Sequence, residues 1–183
     1  MTYSTKRLAA SSLLLLLLSV SVTTAQTPDW QHQLHVNAGP QFVTGDQSEM
    51  YSTGFALDAG YYYRAADALF LGVTGGYHQF SEDGGGDLSV VPLNLALKYN
   101  FSLTGLQPYV GLEGGAFVLG NGTSTTEVGI APRLGLRIPV SRGLDVDLNL
   151  KLDVISSEGN NFTYVGANGG FAYIPDRADI EYR

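Results

Sequence analysis

LSVVPLNLALKYNF, residues 88–101, decides the fold. From Val91 onward Val91, Leu93, Leu95, Leu97, Tyr99 and Phe101 fall on one face and Pro92, Asn94, Ala96, Lys98 and Asn100 on the other. Successive side chains of a strand point to opposite sides, so this is a two-faced strand. Its second face is not the Lys/Glu/Thr surface of a water-soluble sheet. It mixes small residues with isolated charges, which suits the cramped inside of a narrow barrel. The apolar face then points outward, into lipid.

Seven more windows repeat the pattern: Leu34–Val43, Gly54–Tyr63, Ala68–Phe80, Pro108–Val118, Val128–Val140, Leu144–Val154 and Thr163–Tyr173. In the cleanest, Leu144, Val146, Leu148, Leu150, Leu152 and Val154 stand opposite Asp145, Asp147, Asn149, Lys151 and Asp153. Pro40 suggests a bulge in the first window. Each window is long enough to cross a bilayer, which takes a tilted strand about 9–11 residues. The connections Arg64–Asp67, Ser102–Gln107 and Ser141–Gly143 are tight, whereas Thr44–Thr53, Ser81–Asp87, Leu119–Glu127 and Ile155–Phe162 are longer and polar. The reading is an all-β, eight-stranded antiparallel up-and-down transmembrane β-barrel over residues 34–173, with turns on one side and loops on the other. Aromatic residues gather near the strand ends and leave the middles aliphatic or small, as two interfacial girdles would.

A secreted soluble barrel of the lipocalin kind is the competing reading, since alternation alone does not say which face is inside. That reading would put Gly54, Gly60, Gly72, Gly76, Gly111, Gly115, Gly129, Gly135, Gly166 and Gly170 on the water surface. Glycine there costs stability and packs nothing. Inside a small barrel the same residues relieve crowding.

The chain has 183 residues, no cysteine and 15% charged residues. Disulfides and cysteine-ligated metals are excluded. Residues 1–25 read as a signal peptide: Lys6 and Arg7 precede the run Leu13–Leu18, and Thr23-Thr24-Ala25 offers a cleavage site before Gln26. Cleavage removes two of the 10 basic residues and none of the 17 acidic ones, moving the formal charge from −7 to −9. Such acidity argues against a nucleic-acid partner.

The segments Pro108-Tyr-Val-Gly-Leu-Glu-Gly-Gly-Ala and Ile130-Ala-Pro-Arg-Leu-Gly-Leu-Arg-Ile-Pro, with the signal peptide and eight strands, resemble the outer-membrane β-barrel domain family of the OmpA/OmpX type. The likeness spans essentially the whole mature chain. It implies residence in the outer membrane of a Gram-negative bacterium, contact with its lipid bilayer and assembly machinery, and a monomer. It leaves activity open, because that family holds structural barrels, adhesins and enzymes. It also implies a periplasmic N-terminal segment, 26–33, and a short polar periplasmic tail, 174–183. Members usually end on an aromatic residue. Phe171 and Tyr173 take that place here, yet a tail follows, far too short for a peptidoglycan-binding domain.

Two sets of residues are the candidate sites. Leu57, Leu71, Val91, Leu93, Leu95, Leu97, Leu112, Leu134, Leu136, Leu148 and Leu150 form the lipid-facing set. Asp58, Lys98, Glu113, Arg133, Arg137, Asp145, Asp147, Lys151 and Asp153 share the lumen face, where charges must pair or keep water. Adjacent-strand positions suggest Glu113 with Arg133 and Arg137 with Asp147, giving a cross-linked polar plug. For catalysis the one candidate is a lipid-modifying site at His78 with Ser81, Glu82 and Asp83; His35 reads as a lumen hydrogen-bonding residue and His32 as lying before the barrel. The acidic loop Glu82–Asp87 lacks the ligand periodicity of a calcium loop. No cofactor or metal is called for.

Overall fold

A computed structural model describes residues 30–51, 53–81, 86–156, 161–175 and 177. Within them the chain forms a closed barrel of eight antiparallel strands in sequence order. The strands are β1 (His32–Thr44), β2 (Gly54–Arg64), β3 (Leu69–Ser81), β4 (Asp87–Asn100), β5 (Gln107–Asn121), β6 (Thr123–Ser141), β7 (Leu144–Ser156) and β8 (Asn161–Tyr173). Closure is made by β1 against β8, from Leu34↔Tyr173 to Thr44↔Thr163. A barrel so closed has no sheet edge along its wall, which is the condition for crossing lipid with strands. Residues 1–25, read from the sequence as a signal peptide, lie outside the described residues.

Three boundaries differ from the sequence reading. First, β1 begins at His32, so His32 and Gln33 belong to the barrel wall and not to a segment before it. Second, Pro40 makes no bulge: the β1–β8 register is the same at Ala38↔Gly169 and Gln41↔Gly166. Pro40 points outward, and its β2 partner, Phe55, keeps register too. The one register shift in the β6–β7 ladder falls between Pro139 and Ser141. Third, residues 119–127 are not a loop. β5 and β6 continue as a hairpin to Asn121↔Thr123, turning at Gly122 with φ of 72°. The Thr/Ser-rich segment alternates too weakly in hydrophobicity to reveal a strand, but Thr is a good strand former.

Orientation is unambiguous. Leu57, Leu71, Leu93, Leu95, Leu97, Leu112, Leu134, Leu148 and Leu150 are exposed on the outer wall, Leu95 at 73%. Val91 and Leu136 share that wall but are half-buried by neighbours. Every one of Asp58, Lys98, Glu113, Arg133, Arg137, Asp145, Asp147, Lys151 and Asp153 is buried, none above 5% exposed. This is inside-out relative to a soluble barrel, so the lipocalin-like reading falls: its core would be apolar and its surface charged.

Glycines let the inward side chains fit. An eight-stranded barrel encloses just enough width for side chains. Six inward glycines each have a large or polar inward residue as register partner: His35↔Gly60, Tyr62↔Gly72, Asn94↔Gly115, Tyr109↔Gly135, Gln41↔Gly166 and Asn37↔Gly170. In each pair a Cβ on the glycine would strike the partner side chain. The lumen side chain lies flat over the strand next door, in the space the missing Cβ leaves.

Two measurements test this arrangement. Gly169 and Gly170 are neighbours in β8 with opposite outlooks. A Cβ at Gly169 meets only Leu148 Cδ2 at 3.5 Å, whereas one at Gly170 strikes the Val36 carbonyl oxygen and sits 2.7 Å from Asn37 Cα. Gly169→Ala should leave the denaturant midpoint nearly unchanged, and Gly170→Ala should lower stability by about 1–3 kcal/mol. Leu95→Lys puts an ammonium at mid-wall and should cost about 2–4 kcal/mol in folding into lipid vesicles. Wild-type stability for Leu95→Lys would contradict a lipid-exposed wall.

Candidate functional site

The lumen is filled in three storeys. At the loop end Phe80, Leu88, Val90, Phe117, Ile155, Phe162 and Tyr164 form a buried apolar cluster. Phe80 and Tyr164 meet ring to ring at 4.9 Å, and Phe80 and Phe162 at 5.5 Å. At the turn end Trp30, Tyr62, Phe70, Ala96 and Ile174 form another. The charged residues fill the interval. The aromatic residues that the sequence places near strand ends thus divide by parity: Phe42, Phe55, Tyr61, Tyr63, Tyr77, Tyr99, Phe101, Phe171 and Tyr173 are exposed outside, while the rest plug the inside.

The central network is built around Lys151 on β7. Its Nζ lies 3.5 Å from Asp58 Oδ1, 3.5 Å from Glu113 Oε2 and 3.4 Å from Asp153 Oδ1. Arg133 reaches Glu113 at 2.8 Å, and Thr74 donates to the same carboxylate at 3.0 Å. One ammonium thus ties together carboxylates from β2, β5 and its own strand. Opposite charges held this way offset a desolvation cost that each alone would not survive.

Arg137 does not reach the carboxylate that adjacency suggests. It is the register partner of Asp147, but its Nη1 faces Asp145 Oδ2 at 3.7 Å. Asp147 is taken by others: the Tyr109 hydroxyl donates to its two oxygens at 2.9 and 3.1 Å, and Asn149 donates to Oδ1 at 2.8 Å. The reason is Gly135. Tyr109 on β5 passes over β6 at Gly135, where a Cβ would be only 2.6 Å from its Cε1, and so reaches β7. Asp145 also accepts from Arg177 beyond β8.

Lys98 sits lower. It donates to Gln33 Oε1 at 2.6 Å and lies over the Tyr62 ring, 4.0 Å from its centroid. The Phe70 and Tyr109 rings flank it at 5.1 and 5.4 Å. Three ring faces thus hold an ammonium far from bulk water. On the β1–β8 side, Gln41 donates to Asn168 Oδ1 at 2.9 Å and Asn168 to Asn149 Oδ1 at 3.3 Å, joining the closing seam to the Asp147 group.

His78 is fully buried. Its Nδ1 lies 2.8 Å from the Tyr164 hydroxyl and its Nε2 3.0 Å from Asp58 Oδ1. A neutral ring protonated on Nε2 satisfies both: Nε2–H donates to Asp58, and Tyr164 donates to Nδ1. Ser81 is exposed. Glu82 and Asp83 lie outside the described residues. The geometry therefore does not assemble the Ser–His pairing that a nucleophilic lipid-modifying site needs, where base and hydroxyl must come within about 3 Å. His35 is buried in the lumen 3.0 Å from the Asn37 amide, and His32 lies on the outer side against Tyr61, 2.7 Å from its hydroxyl. Among the described residues no three His, Cys, Asp or Glu are grouped to hold a metal ion. Sequence reading put Tyr109 and Tyr164 on the lumen face without naming their partners, and missed Trp30 and Ile174 as lumen residues. The first two carried a signal, since both occupy inward parity next to a charged strand.

Solved structures similar to this chain include small outer-membrane barrels. Neisserial surface protein A is similar over 78% of this chain and 96% of its own, with a TM-score of 0.64 at 14% identity. The outer membrane protein OprG of Pseudomonas aeruginosa gives 0.54 at 15% identity, over 79% and 96%. Ail, the attachment invasion locus protein of Yersinia pestis, gives 0.50 at 10% identity, over 80% and 100%. No protein-family model matches the sequence, and no curated protein matches it. The fold is that of the small eight-stranded outer-membrane barrels.

The network makes a double-mutant prediction. Arg133→Met takes from buried Glu113 its partner at 2.8 Å, leaving Lys151 at 3.5 Å and the Thr74 hydroxyl, and should cost up to about 3–5 kcal/mol of unfolding free energy. Adding Glu113→Leu should recover much of that loss, because carboxylate and guanidinium leave together and Lys151 keeps Asp58 and Asp153. Additive losses in reversible urea unfolding would show that Arg133 and Glu113 do not act as a pair.

Proposed function

We propose that this chain is an integral outer-membrane β-barrel protein with a structural or surface-interaction role, and that its lumen is a charge-paired plug and not a conduit. The supporting observation is the inversion of polarity: leucines clothe the outside while five carboxylates and four cations are buried within. A closed wall of this kind is stable only when hydrocarbon is outside. The strands cross the bilayer, the tight-turn end with both chain termini lies in the periplasm, and the loops and the β5–β6 hairpin face outward from the cell. Phe171 and Tyr173, both exposed near the end of β8, are the aromatic pair available to the outer-membrane assembly machinery. The protein acts as a monomer without cofactor, after removal of residues 1–25.

Against a pore stand the two apolar clusters that cap the charged interval. Dry aromatic constrictions resist ion passage even where charges lie between them. Against catalysis stands the buried position of His78, with both ring nitrogens engaged.

The deciding experiment is membrane fractionation with gel mobility before and after heating. The protein should sediment with outer membranes, and unheated samples should migrate faster than boiled ones because the barrel stays closed. In planar bilayers it should show no steady ionic conductance. A monodisperse protein in buffer without detergent would reject the membrane reading, and a stable conductance would reject the plug while leaving the membrane reading intact.

A further inference from the structure

The two chain ends enter one cluster. Trp30 precedes β1 and Ile174 follows β8, yet both are buried beneath the lumen, at 1% and 0% exposure, with Tyr62, Phe70 and Ala96. Strict alternation does not put Trp30 there. With Gln33 inward and His32 on the other face, residue 31 should point in and residue 30 out. Instead Gln31 is exposed and Trp30 is buried. The backbone pairs once more, Arg64 N–H donating to the Gln31 carbonyl at 2.8 Å, and then turns under the barrel. The indole stacks on Phe70 at 5.4 Å between centroids, with the Arg64 and Arg137 guanidinium groups 5.3 and 5.8 Å from its own.

The other end is fastened separately. Ile174 N–H donates to the Gly143 carbonyl at 2.7 Å, and Arg177 N–H to the Ile174 carbonyl at 3.2 Å. The Arg177 guanidinium pairs with Asp145 inside the barrel. Ile174 and Arg177 are therefore held against the barrel mouth and do not belong to a free tail; the rest of the tail read from the sequence, residues 178–183, lies outside the described residues.

We propose that the tight-turn mouth is closed by a stopper made from both chain ends, in which Trp30 is the movable part: a lid that keeps water from the polar lumen. Trp30 is the part able to move because it lies outside the barrel ladder and, among the described residues, its indole N–H has no hydrogen-bond partner. Ile174 is fastened by backbone hydrogen bonds and the Arg177–Asp145 pair. Displacing the indole exposes Lys98 and the rings around it without breaking any strand pairing. Only the label periplasmic for this mouth rests on the outer-membrane reading; the stopper itself does not.

The absence of native cysteine allows a direct test. Ala96→Cys places a thiol in the stopper cluster, and Val90→Cys places one in the apolar cluster at the opposite end. Each is treated, in detergent micelles, with a charged, water-soluble methanethiosulfonate. With Trp30 present both thiols should react slowly. In a Trp30→Ala background the rate at Ala96→Cys should rise at least ~10-fold, and that at Val90→Cys should not change. Trp30→Phe keeps an apolar lid and should preserve protection. Equal rates at Ala96→Cys with and without Trp30, or a matching rise at Val90→Cys, would overturn the proposal. Should Trp30→Ala fail to give the heat-modifiable folded band, the native protein decides. Trp30 is its single tryptophan, so the emission reports on this ring alone. Protection from both iodide and brominated lipid supports a closed lid. Strong quenching by brominated lipid puts the ring on the outer wall, and iodide quenching equal to that of unfolded chain leaves it open to water; either overturns the lid. Because these readouts are taken in micelles or vesicles, they fail independently of the fractionation that tests location.

Discussion

Width is the governing constraint. Eight strands enclose an interior just wide enough for side chains to fill, too narrow for a large one at every inward position. The protein meets this by setting a large or polar residue against a glycine: Tyr109 over Gly135, Tyr62 over Gly72, Gln41 over Gly166. Each such pair lets a side chain lean sideways over its neighbouring strand. That lean determines which groups meet. Tyr109 is anchored on β5 and finds Asp147 on β7, and the carboxylate it occupies is the one register assigns to Arg137. Arg137 then turns to Asp145. A missing methyl on β6 thus rearranges an ion pair between β6 and β7.

The charges solve a second problem, created by the first. A barrel whose outside is hydrocarbon has no apolar core to spare, so its inside must be filled by polar groups that satisfy one another. Long side chains do this economically: Lys151 spans three carboxylates, and Lys98 exchanges water for ring faces and an amide oxygen. The apolar residues that do point inward are confined to the two ends. There they separate the charged interval from water on either side, and strengthen every electrostatic contact within it.

Similarity to small outer-membrane barrels at 10–15% identity carries the architecture and nothing finer. The same wall supports different loops and lumen fillings, so function rests on those two parts. In this chain the lumen is the better-defined of them. Among the described residues the β5–β6 hairpin runs on past the last β6–β7 pair, Val128↔Ser156, to Asn121↔Thr123.

Reading alone determined the strand count, the alternation and the sidedness of the wall. These depend on local periodicity, and the glycines on the polar face already announced a crowded interior. Leu95 and Lys98 could be assigned to opposite faces because parity within a strand is a property of neighbouring residues. What only the tertiary structure decided was who meets whom. Gly135 clearing a path for Tyr109, Trp30 turning under the mouth against its own alternation, and Ile174 joining it from the far end of the chain all depend on strand tilt and closure. Those bring together residues more than a hundred positions apart, and no local pattern encodes the angle at which a closed sheet aims its side chains.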